Sequence, residues 1–335
     1  MSGRPATDVT YYTVSDHRFF LGTVALLNSL RLTGNEGDLV VLDAGLTQSE
    51  RESLLAHAQV LSPPREIVGN PLLMKPYPHF FAPSGTIVLI DSDILVTGPL
   101  DEILTRAREG KVCVYPDMPE VRNRWFAEWE KTLRLRSPLR REVSVNSGFI
   151  AFSTDRWPEL LERWSELCRL VPADEIAGAG KMFNAGDQDA LNALLMSEFP
   201  RTEVELLPEE DVAFAYHISV EDADELRCSV NGNQKRILHF LDSPKPWERS
   251  GWLRLASTDY IRLMRRLLFA PDVALRLDPS QAPVWLQPTR VGRFSLGVFG
   301  TANRVVVWSS RRTPDWVSER LRVARRRLAR RLRTS

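Results

Sequence analysis

Two carboxylates stand one residue apart, directly after the most strand-like run of the chain. The run TIVLI occupies residues 86–90, and Asp91-Ser92-Asp93 follows it. At such a turn the backbone need not keep the strict alternation of a strand, so both carboxylates can face one divalent cation. Mg²⁺ and Mn²⁺ prefer hard oxygen ligands and usually complete their coordination shell with substrate phosphates. The motif therefore indicates chemistry on a phosphorylated substrate, although D-x-D alone occurs in many loops.

Two kinds of enzyme could use this pair of acids. A sugar transferase uses both to hold a metal ion and a diphosphate. A phosphatase of the haloacid dehalogenase type uses the first as a nucleophile within hhhhDxDx[TV][LV]. The stretch VLIDSDILV departs from that pattern at Leu95, where Thr or Val is expected, and no convincing acidic pair for the phosphatase's magnesium follows. The phosphatase is the weaker hypothesis.

Short apolar runs alternate with helical patterns in the first part of the chain. Residues 9–14, 39–42 and 86–90 are rich in branched and aromatic side chains and are apolar on both faces. This is typical of parallel strands that are covered by helices on both sides. Residues 20–32, between the first two runs, have a helical pattern. The alternation predicts a doubly wound α/β sheet.

Polar residues follow each of these runs. Ser15-Asp16, Asp43 and Asp91 stand at the three ends. In open α/β sheets ligands bind beyond the carboxyl ends of the strands, where neighbouring loops converge. Acidic residues also begin ordinary loops, but three such ends favour a single polar pocket.

Further elements extend this pattern. Thr47 and Glu50 form a candidate capping box at the start of a helix over 47–58. The apolar periodicity predicts strands at 111–115 and 147–152 and helices at 156–171 and 187–199.

Five stretches, taken together and in order, resemble family 8 glycosyltransferases. They extend over roughly residues 9–250 and read LVVLDAGLTQSE, TIVLIDSDILVTGPLDEIL, VNSGFIAFSTDRW, GDQDALN and HFLDSPKPW. The resemblance implies a GT-A-type nucleotide-sugar-binding fold over residues 1–250, with a mostly parallel central sheet flanked by helices. It also implies retaining transfer of a hexose, glucose or galactose first, from a UDP-sugar to a glycan, glycolipid or other hydroxyl acceptor.

The resemblance assigns the metal to Asp91, Asp93 and His239. Taken by itself, a histidine at the end of the apolar run RILHF is more often a core residue than a ligand. Its place before a Lys-Pro-Trp turn favours the functional interpretation. An imidazole beside two carboxylates favours Mn²⁺ (or Mg²⁺) over Ca²⁺.

The resemblance also assigns the donor diphosphate to Lys245, whose alternative role is that of an ordinary surface lysine. The family pattern HFxGxxKPW has a glycine where this chain has Asp242. Glycine there lets the backbone approach a phosphate closely. A carboxylate instead could repel the diphosphate or add a metal ligand. Asp242 is therefore the residue that favours a second hypothesis, a membrane-docked protein that binds a sugar nucleotide without turning it over.

The sugar pocket is assigned by resemblance to Asn146, Asp187 and Gln188. An acid at position 187 could equally cap the following helix. Glutamine is a poor nucleophile, which argues against a durable covalent intermediate. Front-face substitution is therefore expected, with the leaving diphosphate helping to deprotonate the acceptor, and with Gln188 and Asp187 stabilising an oxocarbenium-like transition state.

The nucleotide end of the donor is assigned to Ser15 and Asp16, where similar enzymes hold the uracil and ribose, and Ser92 joins the donor-binding set. Lys75 lies near the position of a basic donor-binding residue. The segment Lys75-Pro76-Tyr77-Pro78 is equally compatible with a rigid turn.

The end of the chain differs in character. Residues 311–335 carry ten arginines against Asp315 and Glu319, a local balance of +8. An apolar stripe recurs at spacings of three and four along this segment: Val317, Leu321, Ala324, Leu328 and Leu332. It predicts a basic amphipathic helix on an anionic membrane surface; an acidic protein partner or a nonspecific nucleic-acid tail is the rival. Residues 251–310 are assigned to a C-terminal extension that follows the catalytic domain, with no structure predicted for it.

The bulk composition is that of a globular protein, with 43% hydrophobic and 26% charged residues and a net charge of +1. It gives no indication of nucleic-acid binding. Cys113, Cys168 and Cys228 lie far apart in apolar surroundings, which favours buried, reduced thiols. No signal peptide or apolar run of spanning length is visible, so a cytoplasmic location is expected, and the basic C-terminal segment adds the expectation of a peripheral place on the inner face of the membrane.

Overall fold

The structure is a computed structural model that describes residues 8–81, 83–176, 181–214, 218–241, 245–248 and 258–295. Its strands are β1 Val9–Ser15, β2 Asp38–Asp43, β3 Gln59–Leu61, β4 Thr86–Ile90, β5 Ile94–Val96, β6 Val112–Pro116, β7 Val145–Ser153, β8 Val204–Leu206, β9 Val212–Phe214, β10 Ser219–Asp222, β11 Arg227–Val230, β12 Asn233–Gln234 and β13 Ile237–His239. Its α-helices are α1 Phe20–Leu32, α2 Gln48–Leu55, α3 Arg65–Val68, α4 Asp101–Arg108, α5 Glu128–Thr132, α6 Leu160–Leu170, α7 Asp187–Ser197 and α8 Thr258–Phe269.

A seven-stranded central sheet has the order β3-β2-β1-β4-β7-β6-β8. Strands β3, β2, β1 and β4 are parallel to one another. Strand β7 is antiparallel to both of its neighbours, β4 and β6, while β8 pairs with β6 in parallel. The mostly parallel sheet and the strands predicted at 9–14, 39–42 and 86–90 are therefore confirmed.

Both faces of the sheet are buried. On β1, Tyr11 belongs to one hydrophobic cluster and Tyr12 to the other, because successive side chains of a strand point to opposite faces. Helices α1, α4 and α8 cover the Tyr11 face, and α6 and α7 cover the Tyr12 face. This arrangement explains why the strand sequences are apolar without alternation.

The predicted helices are present, with adjusted ends. Helix α1 coincides with the predicted 20–32, and the capping box of α2 is formed, with 3.3 Å from Glu50 N to Thr47 Oγ1 and 2.8 Å from Thr47 N to Glu50 Oε2. Helix α6 begins at Leu160 instead of residue 156. Pro158 accounts for the delay, because the residue before a proline is disfavoured in helical conformation.

A small three-stranded sheet lies beside the end of β4. Strand β13 pairs with β5 on one side and with β9 on the other. In this pairing His239 lies opposite Ile94 and Leu238 opposite Leu95. The last residue of β13 is thereby placed against the turn that joins β4 to β5. A further antiparallel sheet has the order β10-β11-β12.

Helix α8 packs on α1, and both helices belong to the same hydrophobic cluster. The buried Asn28 of α1 donates to the carbonyl oxygens of Leu267 and Leu275, at 2.7 and 2.8 Å, and accepts from Leu275 N at 2.9 Å. The three cysteines are buried and unpaired, as predicted, and burial raises the pKa of the thiols of Cys113 and Cys228 to about 12.

Two sequence predictions fall outside the described residues: the amphipathic helix over 311–335 and the effect of Asp242. Within the described ranges, none of the helices combines the length and apolarity needed to cross a membrane.

Candidate metal and donor site

The turn after β4 is fixed from two sides by backbone hydrogen bonds. Asp91 N donates to Gly148 O of β7 at 2.8 Å, and Phe240 N, just after β13, donates to Asp93 O at 3.1 Å. On a third side, Gly22 of α1 lies so close that a Cβ there would be 2.2 Å from Ser92 O. The turn is therefore held by the central sheet, the small sheet and α1 together.

Two carboxylates and one imidazole meet at this turn. Asp91, Asp93 and His239, called here the metal triad, each offer a ligand atom, and the three atoms lie within 4.8 Å of one another. His239 Nε2 is 3.1 Å from Asp93 Oδ1 and 3.9 Å from Asp91 Oδ2. His239 and Asp93 are buried, while Asp91 is partly exposed.

The metal triad fits a divalent cation. Asp93 Oδ1 is buried and accepts no well-directed hydrogen bond within the described residues, although His239 Nε2 lies near it. Adjacent ligands of an octahedral ion with ligand distances near 2.1 Å are separated by about 3 Å. The separation of these two atoms matches that value, and oxygen with imidazole nitrogen is a donor set that Mn²⁺ or Mg²⁺ accepts.

Lys245 holds the other oxygen of Asp93. Its Nζ is 2.5 Å from Asp93 Oδ2 and 2.7 Å from Phe240 O. Burial alone would raise the pKa of Asp93, but its close contacts with His239 and Lys245 outweigh burial and lower the pKa below the usual range. Asp93 is therefore held as a carboxylate, the form that a metal ion requires.

Lys75 connects the metal triad with the start of α7. Its Nζ is 3.0 Å from Asp91 Oδ1, 2.9 Å from Ser147 Oγ and 3.5 Å from Asp187 Oδ2. Burial lowers the pKa of Lys75, but the carboxylates of Asp91 and Asp187 outweigh burial and raise it. The lysine therefore stays charged between two acids.

Asp187 and Gln188 open α7 and face this centre. Burial, with the nearby Asp91, raises the pKa of Asp187. Asp187 is the first residue of the helix and not its cap, a position that Gly186 occupies with φ +59°. Gln188 is held by two contacts, at 3.0 Å from Ser147 N to its Oε1 and at 2.7 Å from its Nε2 to Asp117 Oδ2.

The predicted nucleotide-binding residues Ser15 and Asp16 form hydrogen bonds with residues close to them in sequence. Ser15 is buried at the end of β1 and its Oγ accepts from Thr23 Oγ1 at 2.7 Å. Asp16 Oδ1 accepts from Phe19 N at 3.0 Å and so precedes α1. The structure thus brings Lys75, Asn146, Asp187, Gln188 and Lys245 to the metal triad, whereas the described contacts of Ser15 and Asp16 belong to the start of α1.

Sequence reasoning missed four residues of this centre: Tyr115, Asp117, Ser147 and Gly148. Asp117 follows a predicted strand in the same way as Asp91, so the pattern of polar strand ends could have found it. Tyr115 ends the run VCVY and gave no such signal, because an aromatic residue in a strand predicts a core position. Its hydroxyl contacts both Asn146 Oδ1, at 3.0 Å, and His239 Nδ1.

An irregularity in the sheet brings these side chains together. Between β6 and β7, Val114 lies opposite Ile150, but the next residue, Tyr115, lies opposite Asn146. The residues of β7 between Asn146 and Ile150 therefore leave the regular pairing with β6, and such bulges redirect side chains. Gly148 is needed there, since a Cβ would be 2.5 Å from His239 Cε1.

This geometry agrees with the comparison with known families. Residues 77–251, more than half of the chain, match the family described as glycosyl transferase family 8. The chain therefore belongs to glycosyl transferase family 8 and is a glycosyltransferase, as the resemblance of its motifs predicted. The phosphatase hypothesis is set aside. A search of curated proteins found no match.

Solved structures share the fold at low sequence identity. The galactosyltransferase LgtC, in complex with donor and acceptor sugar analogues, is 15% identical with a TM-score of 0.50, over 78% of this chain and 98% of its own. The bifunctional glycosyltransferase WbbM, in its apo form, is 15% identical with a TM-score of 0.51, over 80% of this chain and 51% of its own. The fold is the GT-A type, as predicted.

Proposed function

We propose that this chain is a metal-dependent, retaining hexosyltransferase that uses a UDP-sugar. The observation that supports it most is the metal triad with a lysine on each carboxylate, Lys75 on Asp91 and Lys245 on Asp93. Two acids, an imidazole and two cationic side chains form a site for a cation and a diphosphate together. The solved complex of LgtC with donor and acceptor sugar analogues supports a nucleotide-sugar donor and a glycan acceptor for this chain as well. Glucose and galactose are the sugars we expect first.

In the proposed reaction, the bond between the donor sugar and its diphosphate breaks. Some residues of the site act on the diphosphate and others act on the sugar. A divalent cation bound at the metal triad would neutralise charge on the departing diphosphate. Lys245, which now pairs with Asp93, is placed to donate to a phosphate oxygen as negative charge develops on it. Lys75, between Asp91 and Asp187, lies at the boundary between the diphosphate and the sugar.

The sugar side of the site supports front-face substitution. Gln188 offers an amide whose two ends are already hydrogen-bonded, and an amide is a poor nucleophile. The carboxyl group of Asp187 lies beside it at the start of α7, with Oδ2 3.5 Å from Lys75 Nζ. We propose that these two dipolar or charged groups stabilise positive charge on the sugar ring. The departing diphosphate accepts the proton of the acceptor hydroxyl.

A screen of donors tests this proposal. We expect hydrolysis of one UDP-hexose, in the absence of acceptor, that requires Mn²⁺ or Mg²⁺ and stops when the metal is chelated. Calorimetry with UDP and Mn²⁺ is run in parallel. Tight UDP binding without hydrolysis or transfer to any acceptor would contradict the enzyme and support a sugar-nucleotide-binding protein, the alternative that Asp242 favours.

We also propose that the arginine-rich segment 311–335 places the enzyme at an anionic membrane surface, where a glycolipid or polymer precursor would be the acceptor. The local charge of +8 and the apolar stripe support this.

A further inference from the structure

A chain of hydrogen bonds joins the metal triad to the sugar pocket. His239 Nδ1 contacts Tyr115 Oη, which is 3.0 Å from Asn146 Oδ1. Asn146 Nδ2 is 3.2 Å from Asp117 Oδ1, and Asp117 Oδ2 is 2.7 Å from Gln188 Nε2. The first four of these side chains are buried. In such surroundings each hydrogen has a defined place, because an unpaired polar atom is costly.

The amide of Asn146 has only one orientation that satisfies its neighbours. The carboxylate of Asp117 can only accept hydrogen bonds, so it must face the amino group of Asn146. The backbone N–H of Gly148 can only donate, so it must face Asn146 Oδ1, from which it lies 2.8 Å. These two contacts are independent and agree. Asn146 therefore presents an acceptor to Tyr115.

This orientation decides the role of the tyrosine hydroxyl. Tyr115 carries one hydrogen, and Asn146 Oδ1 can only accept it. The oxygen of Tyr115 is then left as an acceptor towards His239 Nδ1. The hydrogen in that contact must come from the imidazole, so Nδ1 of His239 is the protonated nitrogen.

We propose that Tyr115 is a positioning residue that holds His239 in its Nδ1–H tautomer, and that Asp117 sets this orientation while fixing Gln188. With Nδ1 protonated, a neutral ring would present the lone pair of Nε2 to a bound metal ion, beside Asp93 Oδ1, which lies 3.1 Å from Nε2. The inference rests on the proposed metal site.

The carboxylate of Asp117 also fixes the other end of the hydrogen-bond chain, at Gln188. Ser147 N donates to Gln188 Oε1 at 3.0 Å, and Gln188 Nε2 donates to Asp117 Oδ2. The amide of Gln188 therefore cannot rotate without losing both bonds. Through these contacts, the buried carboxylate of Asp117 orients both His239 and the amide of Gln188.

The substitution Tyr115→Phe tests the role of Tyr115, with MnCl₂ alone as the probe and electron paramagnetic resonance as the measurement. We expect the Mn²⁺ dissociation constant to rise about tenfold, since loss of a partner to a metal-bound histidine typically has that effect. Turnover should recover at saturating Mn²⁺, which a general structural defect would not allow.

The matched control is Tyr11→Phe. Tyr11 is buried in the same hydrophobic cluster, and its hydroxyl has no hydrogen-bond partner among the residues that the structure describes. Its loss should leave Mn²⁺ affinity within about twofold of wild type, well below the effect of a metal-site partner. Equal effects of the two substitutions, or unchanged affinity in Tyr115→Phe, would overturn the proposal.

The substitution Asp117→Asn distinguishes the effect on Gln188 from the effect on His239, at the two ends of the hydrogen-bond chain. An amide there can still accept from Asn146, but it places an N–H group against the N–H group of Gln188. We expect turnover to fall about tenfold at saturating Mn²⁺ and donor, with little change in Mn²⁺ affinity. Unchanged turnover would contradict the role of Asp117.

A further variant, Asp93→Asn, distinguishes the failure of the inference from the failure of the metal site. If Asp93→Asn abolishes Mn²⁺ binding while Tyr115→Phe leaves it unchanged, the metal site stands and the inference falls. If Asp93→Asn binds Mn²⁺ normally, the metal site itself is wrong.

Discussion

The two carboxylates of the D-x-D motif are used differently. Both oxygens of Asp91 lie near Lys75, whereas Asp93 has Lys245 at one oxygen and His239 Nε2 at 3.1 Å from the other. A cation that arrives alone must share these acids with two ammonium groups. A diphosphate would supply the lysines with new anionic partners. We therefore expect UDP and Mn²⁺ to strengthen each other's binding, since such coupling is reciprocal.

At the residue scale, Gln188→Ala tests the sugar side of the site. We expect turnover to fall by about 10²-fold while donor affinity changes little, because the amide acts mainly on charge that develops in the transition state. Steady-state kinetics and UDP calorimetry measure the two effects. The control is Gln48→Ala, an exposed glutamine in the first turn of α2. An unchanged turnover number in Gln188→Ala would count against its proposed role.

The short motifs that resemble the family point to residues that the structure places close together. Asp91, Asp93 and His239 were assigned from sequence and are found together, and Lys245 and Lys75 each pair with one of the acids. Tyr115 could not be assigned, because its direction depends on the bulge between β6 and β7. Such a bulge arises from pairing between distant segments and leaves no local pattern in either one.

Among the elements, the length of a strand decided whether the sequence could predict it. Strands β1, β2 and β4 are long enough to show a run of apolar residues, and all three were predicted. Strands β5, β9 and β13 have three residues each, too few for any periodicity to be visible. Yet their pairing sets the distance from His239 to the turn after β4. The small sheet therefore matters for the metal triad although the sequence shows no sign of it.

Gly148→Ala tests how β7 and β13 fit together. A Cβ at this position would lie 2.5 Å from His239 Cε1 and 2.8 Å from Asn146 Oδ1, so one of the two side chains must move. We expect Mn²⁺ affinity to fall about tenfold or more, measured by electron paramagnetic resonance, with a lower melting temperature.

The control for this substitution is Gly69→Ala, at the end of α3. The nearest atoms to a Cβ there are carbonyl oxygens at 3.8 Å, an ordinary contact distance. Wild-type metal affinity in Gly148→Ala would show that His239 does not depend on close approach to β7.

At the scale of the whole molecule, the family match covers residues 77–251, and the structure extends the same packed core beyond it. Asn28 of α1 joins residues 267 and 275 to this helix through three hydrogen bonds. The C-terminal segment around α8 is thus part of the core that supports α1, and α1 in turn contacts the turn that carries Asp91 and Asp93 through Gly22.

Deletion of residues 311–335 tests the proposed membrane contact. We expect donor hydrolysis to be unchanged and binding to anionic phospholipid vesicles to be lost, because the arginines supply most of the attraction. Sedimentation with vesicles at low and physiological salt measures this. Full vesicle binding by the truncated chain would contradict the proposal.

The proposed function requires that the metal triad hold a cation that binds the donor diphosphate. The test is calorimetry of UDP binding to wild type and to Asp93→Asn, each with and without Mn²⁺. The control variant is Asp155→Asn, because Asp155 is an exposed acid beyond the opposite end of β7. We expect Mn²⁺ to tighten UDP binding by at least about tenfold in wild type and Asp155→Asn, and to have no effect in Asp93→Asn. Equal tightening by Mn²⁺ in Asp93→Asn would show that the cation binds elsewhere.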